Sequence, residues 1–236
     1  MAKYHHLFTC FHTIGSHHMK ETASDISIFK KIYRCGLKRG IDICIATVAI
    51  VLLAPILLVV AVAILSLDGR PIIFVQMRVG RGGRIFSIYK FRTMTSKKNT
   101  GIDKTQFDPG KNSRITKVGK LLRSTKLDEL PQLFNVIKGD MALVGPRPEV
   151  SYWVEQFSER WAVIHTVRPG ISDRASIVYR DEEDLLSKVD NPNKLYKETI
   201  LPRKLSLYEE YVDSHGIKTD LKIILDTLKT VLRRQA

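Results

Sequence analysis

Cysteine is scarce in this sequence and is missing from most of it. Cys10, Cys35 and Cys44 are the only three, and none follows residue 44. Three widely spaced thiols make neither a disulfide framework nor a metal site, which suits a reducing compartment. Acidic residues are also in short supply, with 24 Asp and Glu against 38 Lys and Arg, a net charge of +14. That excess points to nucleic acid, to an anionic lipid surface or to phosphorylated substrates. Zinc-finger spacing, an RNP-like motif and a basic-region zipper are all missing, so no nucleic-acid partner is expected. Internal repeats are missing too. Gly80-Arg81-Gly82-Gly83 has neither the GxGxxG spacing nor the strand-to-helix context of a nucleotide loop. Five of the seven histidines (His5, His6, His12, His17, His18) crowd the N-terminal tail. That tail reads as polar and disordered, with a weak adventitious metal site as the alternative.

What the sequence does have is one long apolar run, Ile41 to Leu67, polar near its start only at Asp42. About 20 apolar residues cross a bilayer, so the run is long enough for a membrane anchor. It is too long and too far from the N-terminus for a secretory signal. Pro55 near its middle removes a backbone hydrogen bond and predicts a kink. Lys30, Lys31, Arg34, Lys38 and Arg39 precede it, and Arg70, Arg78, Arg81 and Arg84 follow it. Basic flanks favour the cytoplasmic side. A helix that enters, bends and returns satisfies both flanks; a plain single span needs no special geometry. The charges alone leave both readings open. The chain divides into a polar tail (1–29), an anchor with basic flanks (30–70) and a cytoplasmic domain (71–236).

The densest chemistry lies in RSTKLDELPQLFNVIKGDMALVGPRP, Arg123 to Pro148. Proline is tolerated in the first turn of a helix, so Pro131 predicts a helix from Asp128 or Glu129 to Ile137, with Gly139 just past its end. Two carboxylates then sit at the positive end of a helix beside Arg123, where free N–H groups favour phosphate. Asp128 as a simple N-cap is the competing reading. Strands are expected at Ile72–Arg78 and Ile85–Thr93 around the glycine-rich turn. Phe86, Ile88, Lys90 and Arg92 then share one face, with Lys90 in reach of phosphate and Arg92 equally suited to a solvated face. Pro146 and Pro148 hold Arg147 in extended backbone. Arg168-Pro169-Gly170 reads as a turn, and Ser96–Asn112 as a mobile loop. Leu221, Ile224, Leu225, Leu228, Val231 and Leu232 make one helical stripe, facing either the domain core or a membrane interface.

Taken together, these segments resemble the bacterial monotopic phosphoglycosyl transferases, the exopolysaccharide-type sugar transferases. The likeness runs from about Lys38 to Arg180. It is carried by KRGIDI, IIFVQMRVG, IYKFRTM, RITKVGKLLRSTKLDELPQLFNVIKGDM, LVGPRPE and VRPGI, in the family's order. It implies a membrane-associated α/β fold: one re-entrant, or single-span, kinked membrane helix plus a small cytoplasmic α/β domain with surface helices. The implied location is the bacterial inner membrane, with the catalytic domain on its cytoplasmic face. The short members of the family set the expectation, since this length leaves no room for the extra membrane helices of longer ones.

The implied reaction moves a sugar-1-phosphate from a UDP-sugar to polyprenyl phosphate, normally undecaprenyl phosphate, with Mg²⁺, and releases UMP. It is the first membrane step of a lipid-linked glycan pathway such as exopolysaccharide, O-antigen or capsule synthesis. Asp128 corresponds to the nucleophile, and Glu129 is the candidate to hold the metal or orient its water. Arg123 and Lys90 correspond to phosphate-binding residues, and Pro146 and Arg147 to the nucleotide site. Expected partners are the UDP-sugar, polyprenyl phosphate, membrane lipids and downstream glycosyltransferases. Two departures stand out. Ser172-Asp173-Arg174-Ala175-Ser176 replaces the common Thr-Gly-Trp-Ala-Gln and leads into the acidic run Asp181–Asp184, and Ala54 replaces a serine before the membrane proline. The competing function is a non-catalytic membrane scaffold of a glycan-assembly complex.

Overall fold

The longest element is also the most apolar. In the computed structural model, which describes residues 31–95 and 114–233, helix α1 runs unbroken over Lys38–Leu67. A π-type turn, Tyr33–Leu37, precedes it. Pro55 lies inside α1 and the helix continues across it. The His-rich tail, Cys10 and the Ser96–Asn112 segment lie outside the described residues.

Thirty helical residues correspond to about 45 Å of helix measured along its axis. One stripe of it packs on the domain along its whole length. Ala46, Ala49, Ile50 and Leu53 meet Phe86, Ile88, Leu133, Val136 and Met141. Leu57, Val60, Ala61 and Ile64 meet Phe91 and Leu122. The outward side, with Val51, Leu52, Leu58 and Val59, is exposed although almost entirely apolar.

Both ends of α1 are bonded to the same domain. At the entry, Lys38 Nζ donates to Asp220 Oδ2 at 2.5 Å and lies 3.5 Å from Asp42. Arg39 donates to the carbonyls of Val136 and Ile137, at 2.6 and 3.0 Å. At the exit, the buried Arg92 guanidinium gathers the carbonyls of Asp68, Gly69 and Arg70 at 2.5–2.7 Å. The Thr116 hydroxyl donates to Asp68 Oδ2 at 2.7 Å. Lys38 and Arg39, counted in the sequence as membrane-flank charges, are therefore struts. The solvated face open to Arg92 is not the one it takes.

Strands β1 (Ile73–Val79) and β2 (Ile85–Phe91) form an antiparallel hairpin, within one or two residues of the expected bounds, with Lys90 opposite Phe74. Gly82 and Gly83, both at positive φ, close it. No third strand pairs with β2 among the described residues. Instead Asn135 Oδ1 accepts from the Tyr89 N–H at 3.0 Å, and its Nδ2 donates to the Ser87 carbonyl at 2.7 Å. One fully buried amide thus takes over a strand's bonds.

Helix α2 (Lys117–Thr125) is N-capped by Thr116, whose hydroxyl accepts from the Gly119 N–H at 2.8 Å. A Cβ on Gly119 would lie 2.1 Å from the Thr93 carbonyl oxygen, so only glycine allows this contact. Lys126 follows at φ 60°, an uncommon conformation for a side-chain-bearing residue. The next helix corrects the sequence expectation. Asp128 and Glu129 lie in a separate 3₁₀ turn, Leu127–Glu129, and α3 spans Gln132–Lys138 with Pro131 as its N-cap and Gly139 as its left-handed C-cap. Pro131 has no N–H to give the Leu127 carbonyl, so tighter bonds finish one turn before the α-helix begins.

Strand β3 (Ala142–Val144) pairs in parallel with β4 (Gly170–Ser172), with helices α4 (Ser151–Glu155) and α5 (Ser158–Ile164) between them in sequence. The expected Arg168-Pro169-Gly170 turn is instead the entry to β4. Pro169 O accepts from Ala142 N–H at 2.8 Å, and a Cβ on Gly170 would lie 2.1 Å from Gly145 N. Five helices follow: α6 (Arg174–Val178), α7 (Glu182–Ser187), α8 (Pro192–Leu195), α9 (Leu201–Ser214) and α10 (Ile217–Arg233). Trp161, Ile164, Leu186, Ile200 and Leu205 fill the core beneath α4 to α9. On α10 the expected stripe divides. Ile223 and the carboxylate of Asp220 are buried, Ile224 packs beside Ile223, and Leu221, Leu225 and Leu228 face outward.

Arg92→Ala would strand three carbonyls at the exit of α1 with no donor. We expect a loss of about 2–4 kcal/mol, read as a lower urea midpoint of the detergent-solubilised protein. Arg92→Lys is expected to recover only part of it, because an ammonium cannot span three acceptors in a fixed fork.

Candidate active site

Three segments far apart in sequence meet at one carboxylate. Lys90 comes from the end of β2, Glu129 from the 3₁₀ turn and Arg147 from the Pro-bounded segment after β3. Glu129 Oε1 accepts from Lys90 Nζ at 2.8 Å. Both arms of the Arg147 guanidinium engage Glu129, Nη1 reaching Oε2 at 3.3 Å and Nη2 pairing with Oε1. A bidentate guanidinium–carboxylate contact is among the strongest polar contacts available and fixes orientation as well as distance. Burial alone would raise the Glu129 pKa, but the charges of Arg147 and Lys90 outweigh it and hold the carboxyl well below its usual range. Lys90 is pulled down by burial, with Glu129 and Asp128 opposing. Arg147 is held well above its usual value, first by Glu129.

Asp128, next along the turn, is in the opposite situation. It is 8 % exposed, and its buried Oδ1 has no hydrogen-bond partner. Burial raises its pKa first and the neighbouring Glu129 charge second, while Lys90, Lys126 and Arg123 pull it down. The 3₁₀ turn thus holds two adjacent carboxylates in unlike states, one locked between cations and one with an unengaged oxygen. A carboxylate of the second kind beside fixed positive charge is suited to attack an electrophilic phosphorus.

The surrounding frame fixes this geometry. The Val79 N–H donates to Glu149 O at 2.9 Å, joining the end of β1 to the segment that carries Arg147. Glu149 Oε1 accepts from Arg78 at 2.8 Å, and Oε2 accepts from the Tyr196 hydroxyl at 2.7 Å. Pro146 and Pro148 are buried and line a small recess with Trp161 and His165. The Ser172–Ser176 departure lies at the same place. Asp173 caps α6 by accepting from Ser176 N–H at 2.8 Å, and its charge acts on Arg147.

The structure therefore brings Lys90, Asp128, Glu129 and Arg147 together. Arg123 is near enough to act on Asp128, but its guanidinium pairs with Glu183 of α7 and makes no bond to either carboxylate of the turn. Asn135, Lys126, Asp173 and Glu183 were not singled out by sequence. For Asn135 and Lys126 no sequence signal sets them apart, since a polar helix residue and a lysine between helices are commonplace. Asp173 and Glu183 lay inside stretches flagged only as departures.

Comparison with known proteins bears on the family. A family model described as bacterial sugar transferase matches residues 33–234. The chain is 39% identical over 202 residues to a UDP-N-acetylgalactosamine-undecaprenyl-phosphate N-acetylgalactosaminephosphotransferase of Aeromonas hydrophila, covering 83% of this chain and 44% of that protein. It is 38% identical over 195 residues to a UDP-glucose:undecaprenyl-phosphate glucose-1-phosphate transferase of Klebsiella pneumoniae, covering 81% and 39%. An uncharacterized sugar transferase EpsL of Bacillus subtilis is 38% identical over 199 residues, covering 83% of this chain and 87% of that protein. The chain thus spans less than half the length of the first two.

The unlike states of the two carboxylates are testable directly. Glu129, with its depressed folded pKa, adds stability above its unfolded value and loses it as pH falls through the folded one. Asp128 has the opposite sign, and its carboxyl stays protonated to higher pH than an ordinary aspartate's, about 3.9. Glu129→Gln removes the negative neighbour and leaves Lys90 and Arg147 unopposed. We expect the Asp128 titration, followed by pH-dependent carbodiimide labelling and mass spectrometry, to move to lower pH in that variant.

Proposed function

The chain belongs to the bacterial sugar transferase family, and we propose that it transfers a sugar-1-phosphate from a UDP-sugar to undecaprenyl phosphate at a membrane surface, through a phosphosugar intermediate on Asp128. The observation that carries this reading is the paired arrangement of Asp128, with its unengaged oxygen, and the Lys90–Glu129–Arg147 cluster beside it. The names of the relatives supply the substrate class.

In the first step an Asp128 carboxylate oxygen attacks the β-phosphorus. The bond from that phosphorus to the bridging oxygen breaks, and UMP leaves with the electron pair. In the second step a phosphate oxygen of undecaprenyl phosphate attacks the same phosphorus. The phosphorus–Asp128 bond breaks and the carboxylate returns. Two steps on one nucleophile let the donor and the lipid acceptor use the site in turn. Lys90 and Arg147 supply fixed positive charge against the repulsion between phosphate and carboxylate, and Glu129 holds them in place. Arg123 is the further phosphate contact on the rim, and the Pro146–Pro148 segment is the nucleotide side.

The residues fit Mg²⁺, with Glu129 the candidate to hold it or to orient its water. Glu129 gives its oxygens to Lys90 and Arg147, whereas Asp128 keeps one oxygen unengaged. No group of three or more His, Cys, Asp or Glu side chains suited to a metal occurs among the described residues. Magnesium commonly takes one or two carboxylates and completes its shell with substrate phosphates and water, which this site allows. Bound beside the carboxylate pair, it would supply positive charge to the diphosphate.

The long helix supports a membrane location. Its outer side is apolar and exposed, and both ends are bonded to one domain. A helix with its ends on opposite sides of a bilayer would not meet the same domain at each. This favours an anchor that enters and leaves on one face over a plain single span, and the basic flanks favour the cytoplasmic face.

We expect UMP release from one member of a panel of UDP-sugars, dependent on undecaprenyl phosphate and Mg²⁺, with turnover in Asp128→Asn reduced on the order of a thousandfold or more. Folded protein silent across the panel, or an Asp128→Asn variant that keeps full turnover, would contradict the reading and favour a scaffold.

A further inference from the structure

Arg123 is not idle. It projects from the last turn of α2, half-buried, and its guanidinium pairs with the carboxylate of Glu183 across 60 residues of sequence. Glu183 itself is exposed and is delivered by α7, a helix too short to be placed by its own stability. Two buried contacts anchor that helix. Leu186 is wholly buried in the core of the helical half. Glu182 pairs at 2.9 Å with the buried ammonium of Lys204, which also lies over the Tyr196 ring, 5.3 Å from its centroid. The neighbours of Glu183 are thus fixed, and the carboxylate is set against Arg123 while Arg123 still acts on Asp128.

A carboxylate presents to guanidinium the same pair of acceptor oxygens as one face of a phosphate. An exposed pair of this kind is worth about 0–1 kcal/mol, weak enough for a diphosphate to displace. Resting on the reading that Arg123 contacts substrate phosphate, we propose that Glu183 is a resident stand-in for that phosphate. It keeps Arg123 extended at the rim of the site and competes with the incoming group, so that it sets the affinity for phosphorylated substrates. This gives the acidic run after the Ser172–Ser176 departure a function as a positioning element, with Glu183 the residue that acts.

The test is binding of inorganic pyrophosphate by calorimetry to the full chain in nanodiscs, alongside KM and kcat for the active UDP-sugar. Glu183→Gln is expected to bind pyrophosphate about two- to fivefold more tightly, the range an exposed pair of up to about 1 kcal/mol converts to. KM should fall by a similar factor with kcat not raised. Asp184→Asn removes the same charge one residue away and is expected to stay near wild type, which separates the specific pair from a general field. In an Arg123→Gln background the Glu183→Gln gain should vanish. If Arg123→Gln weakens pyrophosphate while Glu183→Gln matches wild type, the stand-in is overturned and the phosphate role of Arg123 survives. If Arg123→Gln leaves pyrophosphate binding unchanged, both fall.

Discussion

One carboxylate organises this protein's chemistry. Glu129 stands between Lys90 and Arg147, and through it the hairpin, the 3₁₀ turn and the Pro-Arg-Pro segment become one structure. Two cations brought this close would repel without it. With it they form a preset positive surface whose orientation is fixed before any ligand arrives. The same arrangement differentiates the adjacent Asp128, which is left with burial and a negative neighbour and with no bond to its Oδ1. Neighbouring groups driven to opposite electrostatic states are a frequent mark of functional sites.

The long helix sets where that surface works. Its inner stripe is part of the domain core, and its ends are held by Lys38 and Arg39 at one side and Arg92 at the other. The apolar outer side then faces away from the domain, and the exit of the helix lies next to β1 and the end of β2 that carries Lys90. On the function proposed, this brings the cationic cluster to the surface where a polyprenyl phosphate head group resides. A two-step route through Asp128 suits such a site, because donor and acceptor arrive from different phases.

Much of this was legible in the sequence, for identifiable reasons. The apolar run, the hairpin and the glycine at the end of α3 follow from composition and periodicity. The grouping of Lys90, Glu129 and Arg147 did not; contacts across 39 and 18 residues came into view only through the resemblance of whole motifs. Local rules misplaced the start of α3, because Pro131 is tolerated in a first turn and equally ends a preceding one. They misread Arg168-Pro169-Gly170, since a glycine needed for backbone approach between β3 and β4 looks the same in sequence as one needed for a turn. They left the orientation of α10 open, because its inward face includes Asp220, a charge held by Tyr33, Lys38 and Tyr211. Cations flanking an apolar run are legible as charge, but whether they meet lipid or carbonyls depends on the fold.

The most direct test of the central claim is the intact mass of the protein after incubation with its UDP-sugar and Mg²⁺ in the absence of lipid acceptor. The account predicts a mass increase equal to one sugar phosphate, mapped to the peptide containing Asp128 and discharged on adding undecaprenyl phosphate. Unmodified protein that nonetheless turns over fully once lipid is present, or an adduct at any other residue, would contradict it.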